Sequence, residues 1–315
     1  MLTGYVLLDT FVLPHAVAAV ETASAAETTT NAQAGSDSAE SSGGASAAAG
    51  GATNTAALAT TADTAGSGET VVTNNSYSGN GQSITITTVR VSGTTAYVAD
   101  VQLSSADSLK TALAQNTYGS NITQTTSEMA AANDAILAIN GDYYGANKRG
   151  YVIKNGILYR DSVRQGDDTQ DLVIYQDGSF AIVDETEITA QELIDSGVVQ
   201  LFSFGPVLME DGEIRVSSSD EVSRAKTSNP RTAIGIIDEL HYIIVVADGR
   251  TSESKGLSLL ELAELMDSYG CVIAYNLDGG GSSTMVFNGS VVNNPTTNGK
   301  SITERSVSDI VYIAA

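Results

Sequence analysis

The sequence predicts an α+β fold in which mixed β-sheets pack with helices. Short segments in which apolar and polar side chains alternate recur along most of the chain, which is typical of half-buried strands. Between them lie segments with helical periodicity and recognisable N-terminal caps. Near the C-terminus a strand, a helix and a second strand follow one another at about residues 242–277. This order predicts one βαβ unit whose two strands run parallel.

The composition divides the 315 residues into three parts. Residues 1–20 are predicted to be a hydrophobic leader, the remnant of a signal or signal-anchor segment, with a disordered apolar leader as the alternative. Residues 21–82 consist mainly of Ala, Thr, Ser and Gly with almost no large apolar side chain, so a disordered linker is predicted. Residues 83–315 are predicted to be the folded domain. A leader, a tether and an acidic domain predict an extracytoplasmic protein, secreted or held at a bacterial cell surface by an N-terminal anchor.

The charge and the rare residue types exclude several classes of protein. The formal net charge is −22, and no Lys or Arg precedes Arg90, which argues against binding to nucleic acid or to anionic lipid. One cysteine excludes an internal disulfide framework and a Cys-based zinc site. With two histidines, His15 and His241, a Ser-His-Asp or Cys-His enzyme is not expected. The sequence specifies no oligomeric state.

The predicted elements follow one another in a regular order from residue 84 onwards. The predicted strands and hairpins are 84–91, 96–101, 151–159, 172–183, 233–237, 242–247, 271–277 and 285–292. Further apolar runs, not assigned to a helix or a strand, lie at 135–139, 198–205 and 307–313. The predicted helices are 127–138, 190–196 and 258–269. Asn155-Gly156, Asp177-Gly178 and Asn288-Gly289 supply the turns of three hairpins.

The last of these helices has the clearest signals. Ser258 and Glu261 form a Ser-x-x-Glu capping box, and Gly270 ends the helix. Its apolar side chains recur at i, i+3, i+4 and i+7, at Leu259, Leu262, Ala263 and Met266. The helix therefore presents one apolar face to the sheet.

The βαβ unit predicts where a ligand binds. Its two strands end at one edge of the sheet, and ligands of open α/β sheets bind outside the carboxyl ends of the strands. Asp248 and Asp278 follow these two ends, and Arg250 lies beside the first. Asp142 also follows an apolar run and is a third candidate for the same edge. Arginine beside carboxylates lowers their pKa and can bind phosphate with two parallel hydrogen bonds.

Three consecutive glycines, Gly279, Gly280 and Gly281, follow Asp278. Such a run can point several backbone N–H groups into one concavity and so bind an anion. The motif is not a nucleotide P-loop, because no Lys follows it, and it lacks the last Gly of a nucleophile elbow. A flexible turn without a ligand is the alternative interpretation.

These motifs together resemble the phosphodiester glycosidase family. The segments that carry the resemblance are Asn140-Gly141, 204–208 (FGPVL), 229–235 (NPRTAIG), 248–250 (DGR), 276–284 (NLDGGGSST) and 304–309 (ERSVSD). They cover about residues 83–315 in the family's order, and the string at 276–284 is the most specific. The sequence departs from the family at Asp142-Tyr143-Tyr144, where Gly-Phe-Phe is common, and at Ser306, where Pro is common, so the sugar preference does not carry over.

The resemblance implies hydrolysis of sugar-1-phosphodiester bonds in cell-surface or extracellular glycans, with exopolysaccharide as one setting. It implies Asp278 as nucleophile or base, with Asp248 or Asp142 as the partner carboxylate. The residues implied in substrate and phosphate binding are Asn140, Gly141, Tyr144, Arg231, Gly249, Arg250, Gly279, Gly280, Gly281, Ser282, Ser283 and Arg305. No metal ligand is assigned and no cofactor is required by this chemistry, while a divalent cation, Ca²⁺ or Mg²⁺, stays open.

Two other functions are consistent with the same residues. The first is a phosphodiesterase that cleaves the P–O bond with a carboxylate-bound divalent metal. The second is a non-catalytic module that binds an anionic glycan with the arginines and the glycine run. Several residues also have purely structural interpretations: Asp248 as a loop cap, Arg231 and Arg305 as ion-pair partners, and Tyr144 as a core aromatic. Cys271 lies in an apolar strand and is expected to be a buried structural thiol.

Overall fold

The structure, a computed structural model, describes residues 15–16, 70–166, 169–220 and 228–314. It corrects the predicted fold class, because the chain is largely β rather than α+β. The three α-helices of the described residues are only 7, 6 and 10 residues long. Alternating segments rich in Thr, Val, Ile and Tyr therefore determine the architecture, and the short helices add little to it.

The strands in chain order are β1 (His15–Ala16), β2 (Val71–Val72), β3 (Ser76–Gly79), β4 (Gln82–Val91), β5 (Thr94–Leu103), β6 (Leu109–Leu113), β7 (Gly119–Ser120), β8 (Ala135–Asn140), β9 (Val152–Lys154), β10 (Ile157–Arg160), β11 (Gln170–Tyr175), β12 (Phe180–Asp184), β13 (Val198–Phe202), β14 (Val207–Glu210), β15 (Glu213–Ile214), β16 (Arg231–Asp238), β17 (His241–Ala247), β18 (Ile273–Leu277), β19 (Met285–Phe287), β20 (Ser290–Val291) and β21 (Asp309–Ala314). The helices are α1 (Thr126–Ala132), α2 (Ala190–Asp195) and α3 (Leu259–Ser268).

Two sheets contain most of these strands. A nine-stranded sheet has the order β15-β14-β18-β16-β17-β5-β4-β3-β2, and a five-stranded sheet has the order β20-β19-β8-β21-β6. A three-stranded sheet, β12-β11-β13, and the pairs β9–β10 and β1–β7 complete the set among the described residues. One apolar cluster contains inward-facing residues of all three larger sheets, including Ile244, Ile139 and Leu172. The main core therefore lies between the nine-stranded sheet and the two smaller ones.

The other face of the nine-stranded sheet is covered by α3. Ile243, Val245 and Ala247 alternate with the core-facing residues of β17 and form a second cluster with Leu262 and Met266 of α3. The Ser258–Glu261 capping box predicted for this helix is present. The period of two along β17 thus places one apolar surface on each side of the sheet.

The predicted βαβ unit also differs from the structure. β17, α3 and β18 do follow one another, but β16 lies between the two strands and pairs antiparallel with both. Every strand pairing among the described residues is antiparallel. β17 and β18 therefore run parallel without being neighbours, because each of them is antiparallel to β16, which lies between them.

The register still brings the ends of β17 and β18 to one edge. Arg231 lies opposite Ala247 on one side of β16, and Thr232 lies opposite Leu277 on the other side. Asp248 and Asp278 therefore leave the sheet at the same edge, on either side of the start of β16. Two strand spacings separate them, or about 10 Å.

The predicted boundary at residue 83 lies within the sheet. Strands β2 and β3 pair with each other and with β4, so paired structure is present from Val71. Tyr77 of β3 is buried in the main core, which explains why this polar stretch is part of the sheet. Residues 1–14 and 17–69, which include nearly all of the predicted leader and most of the predicted linker, lie outside the described residues. In the part of the chain that the structure describes, no helix is long and apolar enough to cross a membrane.

Candidate active site

A cavity of about 710 Å³ opens where β16 begins and β18 ends. The residues that line it are Tyr143, Gln170, Phe204, Gly205, Pro206, Val207, Arg215, Val216, Asp220, Asn229, Arg231, Arg250, Leu259, Asn276, Asp278, Gly279, Gly280 and Arg305. Four of the nine arginines of a chain with a net charge of −22 are among them. This concentration of positive charge makes the cavity suitable for an anion.

Asp278 is the carboxylate at the centre of this arrangement. It follows the last residue of β18 and is nearly buried, with 7 % of its surface exposed. Its Oδ2 accepts a hydrogen bond of 2.6 Å from Ser282 Oγ and lies 3.2 Å from Nη2 of Arg305. Burial raises the pKa of Asp278, while the Ser282 hydroxyl, the Arg305 guanidinium and the Gly279 amide act in the opposite direction.

The three arginines predicted to bind phosphate all line the cavity. Arg231 is buried, and its Nε donates to the carbonyl oxygen of Leu257 at 2.9 Å. Arg250 donates from Nη1 to the carbonyl oxygen of Thr297 at 2.7 Å. Arg305 donates to Ser282 and Asp278. Partial burial and the nearby charge of Arg305 lower the pKa of Arg250, so two guanidinium groups interact within one cavity.

Arg250 adopts an unusual backbone conformation, with a φ of 62° in the left-handed region. Its guanidinium passes close to Gly280, where an added Cβ would lie 2.8 Å from Nη2. Gly280 itself has a φ of 63°, so a side chain there would be strained as well as crowded. The glycine therefore allows the arginine to reach the cavity.

The segment of Gly279, Gly280 and Gly281 makes hydrogen bonds and close contacts within the protein. The amide of Gly280 donates to the carbonyl oxygen of Pro230 at 2.8 Å, and the amides of Ser282 and Ser283 donate back to Gly279 and Gly280. At Gly281 an added Cβ would lie 2.3 Å from Thr297 Oγ1. The amides of Gly280, Ser282 and Ser283 are thus used within the protein, and Gly280 and Gly281 allow close packing against Arg250 and Thr297.

Asn140 and Gly141, at the end of β8, hold the backbone of Asp278. The Asn140 side chain donates to the Asp278 carbonyl at 2.6 Å, and the Asp278 amide donates to the Gly141 carbonyl at 3.2 Å. Asn140 Oδ1 also accepts from Thr232 Oγ1 at 2.9 Å and from the Thr284 amide at 3.2 Å. Asn140 is fully buried and does not line the cavity, so its contacts position Asp278.

Asp248, predicted as a catalytic carboxylate, lies at the same sheet edge but does not line the cavity. Its Oδ1 accepts from the Asn294 amide at 2.8 Å and its Oδ2 accepts from Asn294 Nδ2 at 2.9 Å. Its hydrogen bond with Tyr97 helps to raise the pKa of that phenol, after burial and the charge of Asp248. Gly249 packs against Pro230, since an added Cβ would lie 2.5 Å from the proline nitrogen. Both residues join neighbouring loops together.

Asp142, the third predicted carboxylate, belongs to a buried cluster behind the cavity wall. Its Oδ2 lies 3.4 Å from Lys154 Nζ, and the same ammonium lies 2.8 Å from Asp309 Oδ2. The three side chains are at most 1 % exposed, and Lys154 also lies 4.0 Å from the centre of the Phe202 ring. We call Asp142, Lys154 and Asp309 the buried triad.

The buried triad lies directly against the end of β8. An added Cβ at Gly141 would lie 2.5 Å from the Asp309 carboxylate. Desolvation raises the pKa of Asp309 to about 7. The charge of Lys154 acts to lower this pKa, and the charges of Asp142 and Asp278 act to raise it. Lys154 and Asp309 were not predicted from the sequence as site residues. In Val152-Ile153-Lys154-Asn155-Gly156, however, the lysine lies between two apolar residues and a hairpin turn, which is an unusual position for a charged side chain.

The two tyrosines after Asp142 have opposite environments. Tyr144, predicted to bind substrate, is buried and stacks on Tyr118 with ring centres 5.4 Å apart. Burial and the charges of Asp309 and Asp142 raise its pKa. Tyr143 is 46 % exposed and lines the cavity instead. The aromatic side chain available to a ligand is therefore Tyr143 and not Tyr144.

Two further predictions from the sequence concern metal ligands and the free thiol of Cys271. Within residues 15–16, 70–166, 169–220 and 228–314, no group of three or more His, Cys, Asp and Glu side chains is arranged to hold a metal ion. Cys271 is buried, and burial raises the pKa of its thiol to about 12. A group of this pKa is protonated at neutral pH, as expected for a structural thiol.

Comparisons with known proteins identify the family. A model of the phosphodiester glycosidase family matches residues 133–314. A Bacillus subtilis protein, the SPbeta prophage-derived uncharacterized protein YomE, is 30 % identical over 200 residues, or 62 % of this chain and 30 % of its own length. The human N-acetylglucosamine-1-phosphodiester alpha-N-acetylglucosaminidase is 30 % identical over 188 residues, or 55 % of this chain and 36 % of its own. The chain thus spans about a third of the length of these relatives.

A solved structure has a similar fold. The catalytic domain of the zebrafish N-acetylglucosamine-1-phosphodiester alpha-N-acetylglucosaminidase, auto-inhibited by its pro-peptide, superposes with a TM-score of 0.59 at 24 % identity. The match covers 74 % of this chain and 83 % of the zebrafish chain. The family match covers more than half of the sequence and includes Asn140, Arg231, Asp278 and Arg305. This chain belongs to the phosphodiester glycosidase family.

Proposed function

We propose that the protein hydrolyses sugar-1-phosphodiester bonds between the anomeric carbon and the phosphate oxygen, in cell-surface or extracellular glycans. The observation that carries this proposal is the single buried carboxylate, Asp278, in a cavity that also contains Arg231, Arg250 and Arg305. A glycosyl phosphodiester has the complementary features: a carbon that becomes positive in the transition state and a phosphate that becomes more negative.

Asp278 acts as nucleophile or as base towards the anomeric carbon. A carboxylate beside an oxocarbenium-like transition state stabilises its positive charge. Burial strengthens this interaction, because little water screens the charge. Ser282 and Arg305 favour the ionised form of Asp278, which either role requires.

The arginines act on the leaving group. As the C–O bond breaks, the phosphodiester with one negative charge becomes a phosphate monoester with up to two. Arg231, Arg250 and Arg305 line the same cavity as Asp278, so guanidinium groups are available to contact this product. Donors placed where charge develops stabilise the transition state more than the substrate.

This chemistry does not require the predicted carboxylate pair. A phosphate monoester is a weak base, so it leaves without a proton from a general acid. Asp248 and Asp142 are both away from the cavity lining, which agrees with a single reacting carboxylate. The proposed reaction includes no metal ion, and unchanged turnover after treatment with EDTA is the expected result.

The human and zebrafish relatives named above act on N-acetylglucosamine-1-phosphodiesters according to their names. We propose the same bond type for this protein, with a phosphorylated glycan as the substrate and the outside of the cell membrane as its location. The sugar depends on the cavity wall that contains Tyr143, where this chain differs from the Gly-Phe-Phe sequence that is common in the family.

The test is hydrolysis of a panel of sugar-1-phosphodiesters in ¹⁸O-water by the full chain. Cleavage of the C–O bond places the label on C1 of the released sugar. Asp278→Asn should keep the fold and lower kcat on the order of 10³-fold, equivalent to about 4 kcal/mol. The matched control is Asp134→Asn, which removes one exposed carboxylate at a turn with a φ of 49° that asparagine tolerates.

Three results would contradict the proposal. Label on the phosphate would indicate P–O cleavage and favour the metal-dependent phosphodiesterase. Binding of the panel compounds without turnover would favour the glycan-binding module. Full activity of Asp278→Asn beside full activity of Asp134→Asn would remove Asp278 from the reaction.

A further inference from the structure

Two adjacent serines after the glycine run have opposite hydrogen bonding. Ser282 and Ser283 are both almost fully buried, with 1 % and 0 % of their surface exposed. Ser282 Oγ donates to Asp278 Oδ2 at 2.6 Å and accepts from Arg305. Ser283 Oγ has no hydrogen-bond partner among the residues that the structure describes. The two serines are equally buried and neither lines the cavity, so burial does not explain why Ser282 alone of the two is hydrogen-bonded.

The hydroxyl of Ser282 has no proton left for a ligand. A serine hydroxyl supplies one donor and two acceptor positions. The donor is used on Asp278 Oδ2, and Arg305 Nε at 2.9 Å and Nη2 at 2.5 Å occupy the acceptor side. A direct bond from Ser282 to phosphate, which the sequence analysis expected, would break the bond to Asp278.

The two oxygens of Asp278 are therefore not equivalent. Oδ2 receives the short Ser282 bond and the closer Arg305 contact, at 2.6 and 3.2 Å. Oδ1 has one side-chain hydrogen bond, from Arg305 Nη2 at 3.5 Å, which is at the limit of such an interaction. Asp278 lines the cavity, and Oδ1 is the oxygen that its side-chain partners occupy less.

We propose that Ser282 is a positioning residue that holds Oδ2 of Asp278 together with Arg305, and that Oδ1 is the oxygen that reacts. This inference rests on the proposed role of Asp278. The arrangement fixes the orientation of the carboxylate before the substrate binds, which avoids the cost of ordering it during the reaction. It also opposes the effect of burial, which on its own would favour the protonated and unreactive form.

Ser282→Ala and Ser283→Ala provide a matched pair, because each removes one buried hydroxyl from neighbouring positions. In Ser282→Ala we expect kcat to fall roughly 10- to 100-fold, the equivalent of one hydrogen bond to a charged group. The acidic limb of the pH profile of kcat/KM should also move to higher pH, because the ionised form of Asp278 loses a donor. KM should change little, and the acidic limb of Ser283→Ala should coincide with that of the wild type.

A second variant keeps the proposal testable if Ser282→Ala folds poorly. Ser282→Cys retains a side chain of similar size but replaces the hydroxyl with a weak donor. Its acidic limb should lie between those of the wild type and Ser282→Ala.

A direct measurement separates this proposal from the proposed function. In a ¹³C-carboxyl NMR titration, the signal of Asp278 is identified by its absence in Asp278→Asn. The pKa of Asp278 should be higher in Ser282→Ala than in Ser283→Ala, even if the chain hydrolyses none of the compounds tested. Equal pKa values in the two variants would overturn the positioning role. A rise in KM with an unmoved acidic limb would also overturn it and would indicate that Ser282 binds phosphate.

Discussion

Two clusters of Asp with a basic residue flank the end of β8, and they differ in their access to solvent. On one side, Asp278 pairs with Arg305, whose side chain is 40 % exposed and lines the cavity. On the other side, the buried triad of Asp142, Lys154 and Asp309 is sealed from solvent and lies outside the cavity lining. The same pairing of charges therefore occurs once where a substrate can reach it and once where none can.

The difference shows how the fold assigns roles to similar residues. The carboxylate of Asp278 is reachable from the cavity, and its basic partner lies at the surface, where it can also contact a phosphate. Asp142 instead accepts from the amides of Tyr144 and Ser203, at 3.0 and 3.3 Å, and so joins two loops that line the cavity nearby. We interpret the buried triad as a support for the cavity wall and the Asp278–Arg305 pair as the reacting part.

The largest expected effect that separates the two clusters is on stability. Lys154→Met leaves two buried carboxylates without their cation, and breaking a buried ion pair in this way commonly costs about 3–5 kcal/mol. Arg305→Met removes a partner that is 40 % exposed and leaves one carboxylate without its cation rather than two, so the free energy of unfolding should fall by less than in Lys154→Met. Denaturant unfolding of both variants measures the difference.

The control for this comparison is Lys110→Met, which removes an exposed lysine from β6. It should unfold at nearly the same denaturant concentration as the wild type. Equal losses in Lys154→Met and Arg305→Met would contradict the division into a supporting and a reacting cluster. Activity should show the reverse order, with Arg305→Met losing turnover at temperatures where it remains folded.

A smaller effect follows from the pKa of Asp309, which desolvation raises to about 7 in the folded protein. An unfolded aspartate has a pKa of about 4, so the folded state binds this proton more tightly between these values. The group's contribution to the free energy of unfolding should therefore fall as the pH rises from 4 through 7, by at most about 1.4 kcal/mol per pH unit. Below pH 4 both states are protonated and the contribution no longer changes.

Asp309→Asn should remove this dependence. Urea unfolding at pH 5, 6, 7 and 8 should give a flatter curve for the variant than for the wild type. The comparison with the wild type is needed because burial also raises the pKa of Asp171 and Asp278, which contribute in the same direction. Parallel curves would indicate that Asp309 stays ionised beside Lys154 across this range.

The sequence was informative where one local pattern determines the structure. The Ser258–Glu261 box does begin a helix, and the ends of β17 and β18 do meet at one edge. The predicted helix at 127–138 was less successful. It begins with a capping box at Thr125–Glu128 and ends at Ala132, and the apolar run that follows becomes β8. A short apolar run fits a buried strand and a buried helix equally well, so periodicity alone did not separate them.

The fold class and the different environments of Asp142, Asp248 and Asp278 depend on contacts between separate segments of the chain. The pairing of β16 with β18 brings residues 37 to 45 positions apart into register, and no local signal specifies it. Similarly, Asp142, Asp248 and Asp278 each follow an apolar strand, and their local sequences do not show which one faces solvent. That distinction comes from their partners Lys154, Asn294 and Arg305, which lie 12, 46 and 27 residues further along the chain.

The smallest expected effect concerns Asp248, the predicted carboxylate that belongs to neither cluster. Its two oxygens accept from the main chain and side chain of Asn294, so its charge is used within the protein. In Asp248→Asn the new amide should disturb one of these bonds, and kcat/KM should stay within about tenfold of the wild-type value, or about 1.4 kcal/mol. The assay is the same sugar-1-phosphodiester hydrolysis used for Asp278→Asn. A loss comparable to that of Asp278→Asn, in a variant with wild-type thermal unfolding, would show that Asp248 takes part in the reaction after all. It would restore the carboxylate pair that the sequence suggested, because two strand spacings, about 10 Å, are within reach of a water molecule placed between the two groups.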